Sequence, residues 1–107
     1  MDAAALVRRY YDAIDDHDYD ALETVLSPEF VQNRPDRTFE DRNAFVGFMR
    51  DERPNLDTSH ELESVIAEGG HVAVRGRVIE EATVLFEFAD FFEIEDGQVV
   101  RLETYSR

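Results

Sequence analysis

Asp90 is the residue whose type and setting most directly suggest chemistry. It interrupts the stretch Thr83 to Ile94, in which Val84, Phe86, Phe88, Phe92 and Ile94 share one face if the chain runs as a strand. A carboxylate among aromatic side chains is costly unless it is paired, hydrogen-bonded or neutralised. Two outcomes are open. Asp90 is an acid/base or hydrogen-bond donor with a raised pKa, or it forms a buried ion pair with Arg34 that keeps it ionised. His60 is a second candidate, because histidine exchanges protons near neutral pH; the alternative is a strand-end histidine bonded to backbone or water. Strand parity puts His60 on a face with Leu62, Ser64 and Ile66, and puts Gln32 and Arg34 on a face with Phe30. Arg34 would either bind an anionic or carbonyl group or neutralise Asp90. His17 and His71 stand alone and cysteine is absent, so neither a metal site nor a thiol nucleophile is expected. No cofactor motif is present.

The elements that must position these residues follow from periodicity. Leu6, Val7, Tyr10, Tyr11 and Ile14 recur at helical spacing, predicting a helix from about Ala3 to Asp16 with Asp12, Asp15 and Asp16 on its solvated side. Asp18 caps a second short helix that buries Tyr19, Leu22, Val25 and Leu26 and ends at Pro28. A short strand from Phe30 to Arg34 closes at Pro35. Thr38 and Asp41 have the spacing of a capping box, opening a helix with Phe45, Phe48 and Met49 on one stripe and Pro54 as its stop. The remainder reads as strands: Ser59 to Ala67, His71 to Glu80, the Asp90 stretch, and Gln98 to Tyr105 with Val100, Leu102 and Thr104 on one side. They are joined at Gly69-Gly70, Glu81-Ala82 and Asp96-Gly97. Gly76 removes a side chain from an apolar face and leaves room for a ligand or an aromatic neighbour. Arg75 and Arg77 are expected to pair across strands with Glu103 or Glu87. Helices first and sheet second predicts one α+β domain over residues 1–107.

Charge narrows the partners. There are 25 acidic residues against 11 basic ones, all arginine, and the formal net charge is −14. Such a field repels phosphate backbones and anionic lipid, so nucleic-acid and membrane partners are not expected. Lysine-free, acid-rich composition resembles cytoplasmic proteins of extreme halophiles, where molar salt screens self-repulsion. The N-terminus runs straight into a helical pattern, unlike a secretory signal, and a cytoplasmic protein is the expectation.

The order of these elements resembles the nuclear transport factor 2-like superfamily and, within it, the SnoaL-like branch. The resemblance is carried by Arg9-Tyr10-Tyr11-Asp12-Ala13-Ile14 followed by Asp18-Tyr19-Asp20-Ala21-Leu22. It continues in Ile66-Ala67-Glu68-Gly69 with Val72-Ala73-Val74-Arg75-Gly76-Arg77-Val78, and in Phe88-Ala89-Asp90-Phe91-Phe92 with Asp96-Gly97-Gln98-Val99-Val100. It implies a cone-shaped α+β barrel, with N-terminal helices packed in a strongly curved antiparallel sheet and a pocket at the open end. It further implies a homodimer packed through the outer face of the sheet. In the ketosteroid isomerase relatives a neutral carboxylic acid donates to a developing oxyanion, and Asp90 falls at that acid while Tyr10 falls at the tyrosine that shares the oxyanion. In SnoaL-type polyketide cyclases the aspartate at this position acts as acid/base in ring closure. The isomerase general base is replaced here by Arg34, which stays protonated and cannot abstract a proton, so ketosteroid isomerisation by that route is not expected.

With both strand faces turned inward, Asp90, His60 and Tyr10 form the catalytic candidates. Arg34, Gln32, Phe45, Phe48, Phe86 and Phe88 form the walls of a pocket for a small apolar molecule. The expectation is a cofactor-independent cyclase, isomerase, dehydratase or hydrolase. The alternative is a non-catalytic ligand-binding or dimeric interaction module of the same fold.

Overall fold

The computed structural model describes residues 1–107. Three helices lie on the concave side of a six-stranded sheet: α1 (Ala3–Asp15), α2 (Tyr19–Val25), β1 (Leu26–Asn33), β2 (Thr38–Phe39), α3 (Arg42–Asp51), β3 (Ser59–Glu68), β4 (His71–Glu80), β5 (Thr83–Glu95) and β6 (Gln98–Ser106). The sheet order is β2-β1-β6-β5-β4-β3. It is open, with β2 and β3 as its edges, and curled into the expected α+β cone. One expectation is corrected: the sheet is mixed, because β1 runs parallel to β6 while every other pair is antiparallel.

Each helix starts on an aspartate. Asp2 accepts from the Ala5 N–H at 2.7 Å, Asp18 from Ala21 at 3.1 Å and Asp41 from Ala44 at 2.7 Å. Such caps satisfy N–H groups that have no partner within the helix. Asp41 is therefore the N-cap of α3, and Thr38 is not. Thr38 pairs in β2 with Asn33, and its hydroxyl donates to the Asn33 Oδ1 at 3.1 Å. Helix α2 ends at Val25, and Pro28 lies inside β1 rather than stopping the helix. The β1–β6 register breaks between Leu26 and Val31, where a residue without an N–H removes no ladder bond.

α1 lays Leu6, Val7, Tyr10, Tyr11 and Ile14 into a core that also holds Leu22, Phe30, Phe45, Val72, Phe92, Val99 and Leu102. Asp15 departs from its expected solvated position: it is half-buried at the edge of the stripe and points to β3.

Register shifts break strict alternation in three antiparallel ladders, which bends the sheet. The shift between Leu62 and Ser64 turns Val65 inward and leaves Ile66, expected inside, 65% exposed. The shift between Val78 and Ile79 leaves Leu85 without a partner in the β4–β5 ladder and brings it to the cavity rim, and Val84, expected inside, is exposed to the same degree as Leu85. The shift between Glu93 and Ile94 leaves Val100 unopposed, so Val99 and Leu102, not Val100, are the buried pair on β6. Arg77 stands opposite Glu87 across the β4–β5 ladder as expected, but its ion pair is with Glu61 on β3 while Glu87 meets Arg107; Arg75, opposite Ala89, forms no ion pair, which corrects the expected partners.

Two hairpins close on two-residue turns with both residues at positive φ. Asp96 (52°) and Gly97 (75°) suit that geometry. Glu81 (47°) and Ala82 (69°) do not, because side chains other than glycine, asparagine and aspartate are strained there.

Candidate active site

The helices do not fill the cone. Between α1, α3 and the strands lies a cavity of about 690 Å³, in the range that holds a small organic ligand. Tyr10, Gln32, Arg34, Phe45, Phe48, His60, Phe86, Phe88 and Asp90 all line it. The sequence parity therefore brings the nominated side chains together, although Phe86 is 43% exposed and forms the rim rather than the depth.

Asp90 is 5% exposed and forms no ion pair. Its Oδ2 accepts from the Tyr11 hydroxyl at 2.6 Å and its Oδ1 from the Thr104 hydroxyl at 2.7 Å. Thr104 in turn accepts from the Gln32 side-chain amide at 2.8 Å. Burial pushes the Asp90 pKa up, because the charged form loses its hydration; the two hydroxyl donors favour the charged form and oppose the rise without cancelling it. Arg34 meets Asp36 at 3.2 Å instead, so the Asp90–Arg34 ion pair does not form.

His60 is tied to α1 at two points. Asp15 Oδ1 lies 2.7 Å from His60 Nδ1, and Asp15 Oδ2 accepts from the His60 backbone N–H at 3.0 Å. A carboxylate only accepts, so Nδ1 carries a proton and Nε2, which has no protein partner, is the free nitrogen. The ring is held between Tyr11 at 5.1 Å and Phe88 at 5.5 Å. Tyr11 therefore touches both candidates, with its ring on His60 and its hydroxyl on Asp90. Burial and the nearby Asp90 raise the Tyr11 pKa far above the usual phenol value, so it acts only as a donor. The Tyr10 hydroxyl makes no hydrogen bond within the protein, and burial first, then Asp90, raises its pKa too.

Gly76 settles which use its empty space has. A Cβ there would lie 2.9 Å from the Phe88 ring and 2.5 Å from the Glu61 carbonyl oxygen. The space belongs to Phe88, not to a ligand, and the contact fixes the ring that backs His60.

Three contributors escaped the sequence reading. Tyr11 adjoins the nominated Tyr10 on the same buried stripe, and only the helix phase decides which hydroxyl meets Asp90. Asp15 follows Tyr11 by four residues, the helical spacing that shares a face. Thr104 becomes the cross-strand partner of Asp90 only through the unopposed Val100.

Residues 7–102 match the family model of the SnoaL-like domain. The chain belongs to that family. No curated protein matches the sequence. Among solved structures, it is similar to a candidate ketosteroid isomerase from Kribbella flavida, at 20% identity and a TM-score of 0.88, over 98% of this chain and 77% of that one. A nuclear transport factor 2-like protein of unknown function from Cytophaga hutchinsonii superposes at 0.86 with 16% identity, over 100% and 91% of the two chains. A candidate polyketide cyclase from Sinorhizobium meliloti gives 0.81 with 22% identity, over 94% of each. At such identities the likeness establishes the shared fold. No helix of this SnoaL-like chain is long and apolar enough to cross a membrane.

Proposed function

We propose that this SnoaL-like protein is a cofactor-independent acid–base enzyme acting on a largely apolar small molecule, with Asp90 as the proton-transferring group. The observation that carries this reading is a buried carboxyl held toward its neutral form, without a cationic partner, in the wall of an aromatic cavity. Pairs of titratable groups in contrasting environments mark acid and base roles. Asp90 is the acid, and His60, oriented by Asp15, is the base. His60 Nε2 takes a proton from a carbon next to a carbonyl as the C–H bond breaks. The Asp90 O–H passes its proton to the carbonyl oxygen, giving an enol, and Tyr10 donates a second hydrogen bond to that oxygen. Return of the proton from His60 to another carbon, as the enol O–H proton goes back to Asp90, completes an isomerisation. Attack of the enol carbon on a second carbonyl, whose oxygen takes the His60 proton while the enol O–H proton goes back to Asp90, completes a cyclisation.

The same reading takes the exposed, touching pair Phe91 and Tyr105 on the convex face, 5.9 Å apart, as part of a surface that supports a homodimer. It also takes the −14 charge as fitting a salt-rich cytoplasm.

The test is exchange of the α-hydrogens of a bicyclic ketone, decalone, in deuterated buffer, followed by proton NMR. The protein is expected to accelerate exchange, and Asp90→Asn and His60→Ala each to abolish the acceleration. Exchange unchanged in Asp90→Asn removes Asp90 from the chemistry. Binding of decalone without any exchange favours the non-catalytic ligand-binding module.

A further inference from the structure

The cavity that holds Asp90 and His60 is also where the chain gathers positive charge. Its lining includes Arg34, Arg37 and Arg53, three of only 11 basic residues in a chain of net charge −14. The rim carboxylates facing them are Asp36 and Glu52. Three guanidiniums thus face two rim carboxylates, inside a protein whose overall field is strongly negative.

The three guanidiniums are not consumed by partners. Asp36 is shared: it meets Arg34 Nε at 3.2 Å and Arg37 Nε at 3.5 Å, and the terminal nitrogens of both arginines make no hydrogen bond. Arg53 makes no ion pair; its Nε and Nη2 are shut off from solvent without any acceptor, and its Nη1 is the nitrogen left open toward the cavity. Leaving donors of a charged group buried and unpaired is costly. Arg34 and Arg37 are also held in place by aromatic rings. The Arg37 guanidinium lies 4.5 Å from the centre of Phe48 and the Arg34 guanidinium 5.8 Å from that of Phe39, within cation–π range. Forks held in place with free ends, beside a third guanidinium that presents a free nitrogen, form a receptor for a planar oxyanion.

We infer that the substrate is amphipathic: a compact carboxylate held by Arg34, Arg37 and Arg53 at the mouth, and an apolar body reaching past Phe48 and Phe88 toward Asp90 and His60. A compact carboxylate, with its two oxygens in one plane, matches the forked donors of these guanidiniums. This inference rests on the cavity being the binding site proposed above, and it adds the polar end that the apolar walls alone do not specify.

Cinnamate and cinnamamide are matched probes, equal in shape and differing by one charge. Isothermal titration of the intact protein in moderate salt is expected to show cinnamate binding at least about tenfold tighter, the gain of one charge-assisted hydrogen bond. That margin should shrink as salt is raised. Arg53→Met is expected to bring cinnamate down to the amide's affinity while the amide is unaffected. Arg37→Gln, on the exposed side of the rim, gives the same readout should Arg53→Met fail to fold. Equal affinity of the two probes overturns the carboxylate assignment and leaves the pocket standing. No binding of either probe overturns it together with the pocket.

Discussion

Tyr11→Phe isolates the tuning of Asp90. The substitution removes one oxygen, and with it the 2.6 Å hydrogen bond to Asp90 Oδ2, while the ring keeps its packing against Tyr10, His60, Phe88 and Phe92. A hydrogen bond to a charged group contributes about 1.5–3 kcal/mol. That bond favours the ionised carboxylate, so its loss should weaken ionisation of Asp90 by roughly tenfold to a hundredfold, at about 1.4 kcal/mol per tenfold. The Thr104 bond remains and keeps the carboxyl in place. The Asp90 titration should therefore move to higher pH, and the alkaline limb of any Asp90-dependent exchange should move with it. Carboxyl-resolved carbon NMR on aspartate-labelled protein reads this directly, with Asp90→Asn identifying the resonance. Tyr10→Phe is the control, since the Tyr10 hydroxyl bonds to nothing in the protein and its loss should leave the Asp90 titration almost still. A downward movement in Tyr11→Phe, or an equal movement in both variants, would refute the reasoning.

Other expectations follow from the same geometry. A raised folded-state pKa means that the Asp90 contribution to stability is fully present below the ordinary carboxylate value and is lost as pH rises through the folded value. Asp90→Asn should accordingly gain stability relative to the parent as pH rises across that window, read as a growing difference in Tm; a difference that shrinks with pH contradicts burial as the dominant cause. The turn at Glu81-Ala82 holds two strained residues at positive φ, each costing about 1 kcal/mol. Glu81→Asn with Ala82→Gly should stabilise the fold by about 1–2 kcal/mol in urea unfolding without changing m; no gain would mean that the turn is not as described. Finally, the −14 charge predicts that circular dichroism shows structure weakening on dialysis into dilute buffer and returning in molar salt, and full stability in dilute buffer would argue against the salt-adapted reading.

Most of the fold was legible because it depends on periodicity. Helix α1 repeats at helical spacing, β4 alternates from Val72 to Val78, and the Asp96-Gly97 turn is written in residues that tolerate its dihedrals. What escaped is phase. Counting back from a two-residue turn at Asp96-Gly97 places Asp90 opposite Glu103, an acid facing an acid. The unopposed Val100 moves the partner to Thr104, which is a donor. The same slip governs Ile66 and Leu85. A bulge of this kind has no strong residue signature, because the extra residue is left unpaired and any side chain can occupy it. The parallel β1–β6 pairing was hidden for a related reason: strand neighbours far apart in the chain are set by tertiary packing, and no local turn announces them. Asp15 was misplaced because an acidic residue at the margin of an apolar stripe reads as solvated until its partner, 45 residues away, is known.

That 45-residue span bears on when the site comes into being. Tyr11 and Asp15 stand one turn apart on α1, and between them they orient both Asp90 and His60. A folding chain with its sheet paired but α1 undocked would already have the Asp90–Thr104 contact, yet it would leave His60 loose and Asp90 open to water. Contacts of high sequence separation are costly to close. The assembled site would then arrive with the final docking of one helix, and under the proposed function catalytic activity would report completion of folding more sharply than secondary structure does.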